Sequence, residues 1–321
     1  MGLTRQNAIN GALERLSGVG FTMEPGFAEH GTMVAETIST LGFHDEVLPW
    51  VEGAEKNRRH IPAPPASAPI EGGDEGAWRD ALGATKRVTD WLGFFRRALA
   101  ERPWQEVLGS WLPILIPGYA GGLTHGLIRT AHAVRAFPEG AAPSALERDE
   151  LARGLAYWAA TFVQTTGAPD LRGDLAAIDG LAEESDIDTA ISRHGACFAR
   201  ILVAHAELKI VPMIQLIHCI TAPVSMRDLL PYTQAEERGA VYAHLWRVSA
   251  SIAARVVRPL AAPPPETAAS SLAPADLARR AVEHGDDHAI KLTETLLRED
   301  RLRPDPIYRV AAEAALQRLK W

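Results

Sequence analysis

Two histidines and an arginine recur at helical spacing in the stretch from Leu123 to Phe137. The apolar residues of this stretch repeat at intervals of three and four, which predicts an α-helix. On that helix His125, Arg129 and His132 stand at positions i, i+4 and i+7, so they lie on or near one face. Because this face is otherwise apolar, each polar side chain needs a partner: a carboxylate, a backbone carbonyl, a metal ion or a polar ligand. For each residue alone, the alternative is a hydrogen-bonded core side chain.

Two small residues flank the first of these histidines. Thr124 precedes the predicted helix, and we expect its hydroxyl to cap the helix N-terminus. Gly126 follows His125, and the absence of a side chain there should let another backbone approach closely. These two positions predict that the first turn of the helix is capped by Thr124 and packs closely against another backbone at Gly126.

Two further histidines stand in apolar helical patterns. His30 lies in the first turn of a helix predicted within Phe27–Phe43, with Gly42 as its stop signal. It is either a metal ligand or proton shuttle, or a solvent-exposed capping histidine. His218 stands near the middle of a segment that is apolar on nearly all sides, so its imidazole should be buried and needs a partner.

A histidine and a lysine occur one helical turn apart late in the chain, in the segment EHGDDHAIKLTE. His288 and Lys291 stand at i and i+3 on a helix whose start Asp286 or Asp287 should cap. Burying a lysine ammonium among apolar neighbours without a partner is unfavourable. Lys291 either joins a polar site, or reaches water along its aliphatic stem, or pairs with Glu294 or Glu283.

Composition favours helix over sheet. Hydrophobic residues make up 47% of the 321 residues, alanine is abundant, and runs of β-branched residues are few. The net charge of −7 provides no basic field for nucleic acid or an anionic membrane surface. The N-terminal segment has no apolar signal region, and no run approaches the ~18 uninterrupted apolar residues of a membrane span. We therefore expect a cytoplasmic protein with neither nucleic-acid nor membrane partners; the sequence predicts no oligomeric state.

Several residue types and motifs that cofactor sites require are missing from the sequence, and their absence limits which cofactors we expect. With only Cys197 and Cys219 present, a disulfide framework and multi-thiolate metal sites are excluded, so nitrogen and oxygen atoms must hold any metal. A Gly-rich nucleotide fingerprint after a strand is missing, so neither a flavin nor a nicotinamide cofactor is indicated. The GxSxG elbow of serine hydrolases is also missing.

These patterns together predict a single, mainly α-helical domain spanning residues 1–321. Facing helices of such a bundle could build a histidine-rich metal site that opens into a largely apolar pocket, while hydrogen-bonded core histidines remain the alternative at this point. Two stretches rich in Pro, Gly and Ala, at about 60–76 and 260–274, are predicted to be loops inside that domain.

An ordered series of motifs resembles the questin oxidase-like family. The series consists of an HG before an alanine-containing helix that ends in LG, then HGLIRTAHAVRA, LAYWAATF, IHCITAP and DDHAIKL, and it runs from about His30 to Leu297. The resemblance implies oxidative ring opening of aromatic polyketides, with a Baeyer–Villiger-like or dioxygenase outcome and no flavin-binding fold. It further implies a mononuclear non-haem iron held by histidines and by a lysine that CO₂ has converted to a carbamate.

Carried over position by position, the implied ligands are His30, His125, His218, His288 and Lys291. Four imidazoles and one oxygen donor suit Fe²⁺ and leave a position for O₂ or substrate. We expect Arg129 and His132 to support the ligands or to orient the substrate. We also expect the side chains of His125, His218 and His288 to converge, and Lys291 to point at them.

The leading hypothesis is an O₂-dependent, non-haem iron oxygenase that acts on an aromatic or polycyclic small molecule. One alternative is a metal-free helical protein that binds an apolar ligand and uses its histidines as core hydrogen-bonding groups. Another alternative is a zinc-dependent hydrolase in which the metal activates water. Metal content distinguishes the three, since iron, no metal and zinc are the respective expectations.

Overall fold

Helices form most of the chain in the computed structural model, which describes residues 2–167, 169–171, 175–183, 185–258 and 269–319. Within these ranges, the sheet structure consists of three strands of two residues each. The predicted all-α class is therefore confirmed.

The chain forms two compact units. The first comprises Met1–Gln164 with Asp228–Thr233, and the second comprises Thr165–Arg227 with Gln234–Trp321. The single-domain organisation stays a prediction.

The first unit contains eight α-helices among its described residues, and several match the sequence periodicity closely. The helices are α1 (Arg5–Leu16), α2 (Gly31–Thr40), α3 (Val47–Asn57), α4 (Glu75–Ala81), α5 (Val88–Glu101), α6 (Trp104–Leu115), α7 (His125–Ala136) and α8 (Ala145–Ala160). Helix α7 packs on α8 and α2, and α8 also packs on α5. The helices that carry the N-terminal histidine motifs are therefore neighbours.

Local sequence signals explain where these helices begin and end. The Thr4 side chain accepts a hydrogen bond from the Asn7 amide at the start of α1. Ser144 and Glu147 form a reciprocal capping box at the start of α8. Gly42, at φ 92°, follows α2 in a left-handed conformation that favours glycine, as the sequence predicted.

A small antiparallel sheet and a long loop complete this unit. The strands are β1 (Thr22–Met23), β2 (Phe27–Ala28) and β3 (His60–Ile61), in the order β2-β1-β3. The loop predicted at about 60–76 begins with β3 and runs irregularly and mostly exposed to α4. The buried Asp90 carboxylate anchors it by accepting hydrogen bonds from the Ser67 amide and hydroxyl, at 2.8 and 2.7 Å.

The second unit is also helical. Its helices are α9 (Ala176–Asp179), α10 (Ile187–Ala204), α11 (Ile210–Ser225), α12 (Arg238–Val256), α13 (Pro274–His284), α14 (Asp287–Leu302) and α15 (Pro306–Arg318). Helix α11 packs on α10, α12 and α14. Of the loop predicted at 260–274, residues 260–268 lie outside the described residues.

One helical segment of the described chain, Ile210–Asp228, is long and apolar enough to span a membrane by length and composition alone. Its most apolar window is 67% buried inside the protein, which is the pattern of a core helix. This segment carries His218, and its burial agrees with the apolar pattern that the sequence shows on nearly all sides of it.

Candidate metal centre

The first unit brings His30 and His125 into direct contact. Their Nε2 atoms lie 2.6 Å apart, and the two rings stack with centroids 4.7 Å apart at an interplanar angle of 15°. Both residues are buried, at 3% and 6% exposure. His30 occupies the N-cap position of α2 without a side-chain capping bond. The alternative of a solvent-exposed capping histidine is therefore wrong.

The backbone before α7 determines which nitrogen of His125 carries a proton. Its Nδ1 atom lies 2.5 Å from the carbonyl oxygen of Gly122. A carbonyl oxygen only accepts, so Nδ1 must donate, and a neutral His125 then presents its Nε2 lone pair towards His30. That lone pair can accept a hydrogen bond from the Nε2–H group of His30, or both Nε2 atoms can face a cation. Metal-bound histidines are commonly oriented by such a carbonyl.

The turn that supplies this carbonyl is strained. Gly122, Leu123 and Thr124 have φ angles of 57°, 51° and 65°, in the left-handed region. For residues other than glycine this conformation costs of order 1–3 kcal/mol and tends to occur where function requires it. The strained turn therefore indicates that the backbone immediately before His125 has a functional role.

Two sequence predictions about this entry have different outcomes. Thr124 is the N-cap residue of α7, but its side chain makes no capping hydrogen bond, because the left-handed backbone departs from the extended conformation of such caps. Gly126 does admit a close backbone, since a Cβ atom there would lie 2.5 Å from the Cα of Trp158. The cap prediction was right in position and wrong in mechanism.

The partner of Arg129 is a carboxylate. Its Nε and Nη2 atoms donate to Oε1 and Oε2 of Glu150 at 2.7 and 2.9 Å. The Thr32 hydroxyl also donates to Oε1 of Glu150, at 2.7 Å. Burial lowers the pKa of Arg129, but the Glu150 charge and hydrogen bond together with the Glu29 charge outweigh this effect and raise the pKa above its usual value. Arg129 is therefore a permanent buried cation.

His132 also faces a carboxylate, that of Glu36. Its Nδ1 atom lies 2.7 Å from Oε2 of Glu36, and Arg135, Arg5 and Thr40 donate to the same carboxylate. Burial raises the pKa of Glu36, but the Arg135 charge and the His132 hydrogen bond outweigh it and hold the pKa well below its usual value. Glu36 therefore remains ionised at neutral pH.

A third buried carboxylate, Glu29, immediately precedes His30. It accepts a hydrogen bond from the Gly31 amide at 2.5 Å and lies 3.5 Å from Nη1 of Arg58. Burial raises the pKa of Glu29, and the Arg129 charge and the Gly31 amide only partly offset the effect. The His30 backbone is thus held by its neighbours on both sides.

In the second unit, His218 and His288 lie next to each other. His218 is in the middle of α11 and is 1% exposed, and His288 is in the first turn of α14 and is 8% exposed. Their ring centroids are 5.7 Å apart at an interplanar angle of 62°. Asp286 caps α14 by accepting from the His288 and Ala289 amides, each at 2.9 Å, as predicted.

Lys291 lies one turn along α14 from His288 and is only 4% exposed. This burial excludes the alternative in which its ammonium reaches bulk water. Glu294, also buried, follows three residues later on the same helix. Of the alternatives for Lys291, a polar site and a carboxylate partner remain open.

His194 shows what an ordinary core histidine looks like in this chain. It lies in α10 and stacks on Phe198, with centroids 4.6 Å apart, and its exposure is 0%. Burial lowers its pKa to about 3, only partly offset by the Cys219 backbone. His194 is thus a neutral packing residue at physiological pH.

A cavity of about 390 Å³ lies in the first unit beside the turn that precedes α7. Its wall includes Phe21, Ile61, Tyr157 and Val163, together with Gly122, whose carbonyl orients His125. The volume falls in the range of sites for small organic ligands. The cavity therefore reaches the peptide that holds the His125 ring.

Sequence reasoning missed the carboxylates Glu36 and Glu150 and the cavity residue Tyr157. Both carboxylates interrupt apolar helical patterns, in MVAETI and RDELARG, and this was the available signal. The identity of their partners could not be read from that signal, because His132 and Glu36 are 96 residues apart. Tyr157 lies in LAYWAATF, which the sequence analysis used only as one of the motifs that resemble the family.

The donor set fits a metal of borderline hardness. The buried donors are His30 and His125 in the first unit and His218 and His288 in the second, and each offers an imidazole nitrogen. Neutral imidazole suits iron, copper, nickel and zinc equally well by donor type. The expected convergence of His125, His218 and His288, and the direction of Lys291, stay predictions.

Comparison with known proteins supports the resemblance found in the sequence. A family model described as questin oxidase-like matches residues 49–161, just over a third of the chain. The match includes His125, Arg129 and His132, whereas His30, His218, His288 and Lys291 lie outside it. None of the curated proteins matches the chain significantly. An oxidase-like family of this kind suggests an oxidoreductase.

Proposed function

We propose that this protein is an O₂-dependent, non-haem iron oxygenase that acts on an aromatic or polycyclic, polyketide-like small molecule. The observation that carries the proposal is the buried His30–His125 pair, with its Nε2 atoms 2.6 Å apart and the His125 Nδ1 atom directed at the Gly122 carbonyl. The questin oxidase-like match over residues 49–161 supports an oxidation of this substrate class. We propose that the protein acts in the cytoplasm.

The proposed ligands of one Fe²⁺ per chain are His30, His125, His218, His288 and Lys291. A bound ferrous ion would supply the redox chemistry that activates O₂, which side chains alone do not provide. The Gly122 carbonyl keeps the proton of His125 on Nδ1, so that Nε2 is available as a ligand atom. Lys291 takes part as a carbamate formed with CO₂, because an ammonium group has no lone pair to donate.

Arg129 and His132 then act through their carboxylate partners. The Arg129–Glu150 and His132–Glu36 contacts tie α7 to α8 and to α2. Because His125 and His30 begin α7 and α2, these contacts hold the two ligand helices in register. In this role both residues position ligands rather than react with substrate.

Metal analysis of the purified full-length protein tests the proposal. After anaerobic loading with Fe²⁺ we expect about one iron per chain, and much less in His30→Ala, His125→Ala, His218→Ala and His288→Ala, since each removes one ligand. His60→Ala and His244→Ala are the matched controls, one in each unit, and should keep the iron. O₂ consumption with questin as the probe then tests the reaction.

The other outcomes distinguish the alternatives. One zinc per chain that iron does not replace, together with hydrolytic activity, would favour the zinc hydrolase. Absence of any bound metal, with unchanged folding in all four histidine variants, would favour the metal-free binding protein. Equal iron loss in the control variants would show that the metal is bound adventitiously.

A further inference from the structure

The cavity beside α7 has one wall formed by two parallel aromatic rings. The rings of Phe21 and Tyr157 have centroids 6.0 Å apart and an interplanar angle of only 7°. The guanidinium groups of Arg129 and Arg153 lie over the Phe21 ring, at 5.7 and 4.9 Å from its centroid. These cation–π contacts fix the orientation of Phe21. A rigid wall of parallel rings favours a flat ligand.

The rest of the lining is mostly aliphatic. Ile61, Val88 and Val163 contribute branched side chains, and Ala160 contributes a methyl group. Ile61 and Val163 are also 37% and 57% exposed. Large apolar side chains that are both exposed and part of a cavity wall are typical of a ligand entrance. The cavity therefore suits a molecule with a mostly apolar surface.

Two hydroxyl groups stand beside Gly122 on this wall. A methyl group at position 122 would lie 3.0 Å from the Tyr157 hydroxyl oxygen and 3.2 Å from that of Thr161. The Thr161 hydroxyl is already used, because it donates to the Tyr157 carbonyl at 2.7 Å. None of the hydrogen bonds formed among the described residues uses the Tyr157 hydroxyl. Tyr157 is only 7% exposed, but its hydroxyl oxygen remains accessible in the cavity wall, where it can donate to a ligand.

We propose that this cavity binds a flat, mostly apolar molecule carrying an acceptor oxygen, and that Tyr157 recognises that oxygen by donating a hydrogen bond to it. Burial raises the pKa of Tyr157, and the Arg129 charge only partly opposes this, so the phenol stays protonated and remains a donor. Tyr157 is then a specificity-determining residue. Only the further identification of this ligand with the oxygenase substrate rests on the proposed function.

A matched pair of tricyclic probes tests the inference in the full-length protein. 9-Fluorenone and fluorene share shape and size, but only fluorenone has an acceptor oxygen. We expect the wild type to bind fluorenone about 3- to 10-fold more tightly than fluorene, as measured by fluorescence titration, since one hydrogen bond has about this effect. Tyr157→Phe should abolish the preference and leave fluorene affinity nearly unchanged. Tyr232→Phe, outside the cavity wall, should keep it.

A second variant tests the aromatic wall independently. Phe21→Leu should weaken binding of both probes by a similar factor, because it removes stacking area without removing the donor. Equal affinity of the wild type for both probes, failure to bind either probe, or a preference that survives Tyr157→Phe would overturn the inference.

Metal-free and iron-loaded protein are titrated side by side, which separates this inference from the proposed function. A Tyr157-dependent fluorenone preference in a protein that binds no iron would leave the cavity inference standing and overturn the oxygenase proposal. Normal iron binding and O₂ consumption without any fluorenone preference would support the oxygenase proposal and overturn the cavity inference.

Discussion

The guanidinium of Arg129 and the carboxylate of Glu150 meet edge to edge inside the first unit, with donor–acceptor distances of 2.7 and 2.9 Å. Both residues are buried, at 2% and 6% exposure. Removing one member of such a pair leaves an uncompensated buried charge. Breaking this pair should therefore destabilise the protein by more than the intact pair contributes to its net stability.

Arg129→Met should lower the free energy of unfolding by about 3–5 kcal/mol, as expected for breaking a buried ion pair. The double variant Arg129→Met with Glu150→Gln should be less destabilised than the sum of the single variants, with a coupling of about 1–3 kcal/mol. Urea denaturation measures all four corners of the cycle. The exposed pair Arg79–Glu75 is the control and should give about 0.3–0.5 kcal/mol. Additive effects at Arg129 and Glu150 would contradict the pairing.

His132→Ala should keep its iron while losing stability. The substitution removes one of two donors to Oε2 of Glu36 but leaves Arg135 and Arg5 on that carboxylate, so we expect a loss of about 1–3 kcal/mol. Iron analysis and urea denaturation of the same preparation measure the two effects. Loss of iron with an unchanged circular dichroism spectrum would instead make His132 a metal ligand.

Glu36 should contribute an acid-sensitive part of the stability. Its pKa is held well below the ordinary value of 4.5, so its contribution is fully present above about pH 4.5 and is lost as the pH falls through the folded-state pKa. The stability difference between wild type and Glu36→Gln should therefore be largest near neutral pH and shrink below pH 4.5. Urea denaturation from pH 7 to pH 3 measures it. A difference that is constant with pH would show that the charge of Glu36 is not stabilising.

Gly126→Ala should destabilise the protein, whereas Gly93→Ala should not. A Cβ at position 126 would lie 2.5 Å from the Trp158 Cα, and backbone cannot move aside cheaply, so we expect a loss of at least about 1–3 kcal/mol. At Gly93, inside α5, the nearest atom is the flexible Arg97 side chain at 3.7 Å, and the higher helix propensity of alanine should stabilise by up to ~1 kcal/mol. Thermal denaturation should show a lower melting temperature for Gly126→Ala and a higher one for Gly93→Ala. A tolerated Gly126→Ala would contradict the close α7–α8 packing.

Lys291→Ala should bind less iron than the wild type, and only the wild type should respond to bicarbonate. In the proposed function the buried lysine would become a ligand through a carbamate, which requires CO₂, whereas alanine supplies no oxygen atom. Iron occupancy is measured with and without bicarbonate, and with acetate as a substitute for the missing carboxylate. Lys209→Ala, which removes an exposed lysine, is the control and should behave as wild type. Wild-type iron occupancy in Lys291→Ala would exclude a role for this lysine.

Local interactions explain why much of the helical structure could be predicted. Gly42 was predicted as the stop signal after α2, and the cap of α14 was predicted at Asp286 or Asp287 from their positions. Apolar periodicity and capping act within one or two turns, so they are legible in a short stretch of sequence. The Thr124 cap was wrong because the preceding turn adopts left-handed φ angles at two residues other than glycine, which no local preference favours.

The sequence by itself indicated that His125, His132 and His218 stand in apolar helical patterns, but it left open whether His30 and Lys291 reach solvent, which the structure excludes. Only the tertiary structure decided what each of them meets. His30 and His125 are 95 residues apart, and their contact depends on how α2 packs on α7. The same packing gives His132 the Glu36 carboxylate, and the packing of α7 on α8 gives Arg129 that of Glu150. Apolar periodicity predicts that a side chain is buried. Which residue becomes its partner depends on helix packing, which no local sequence pattern encodes.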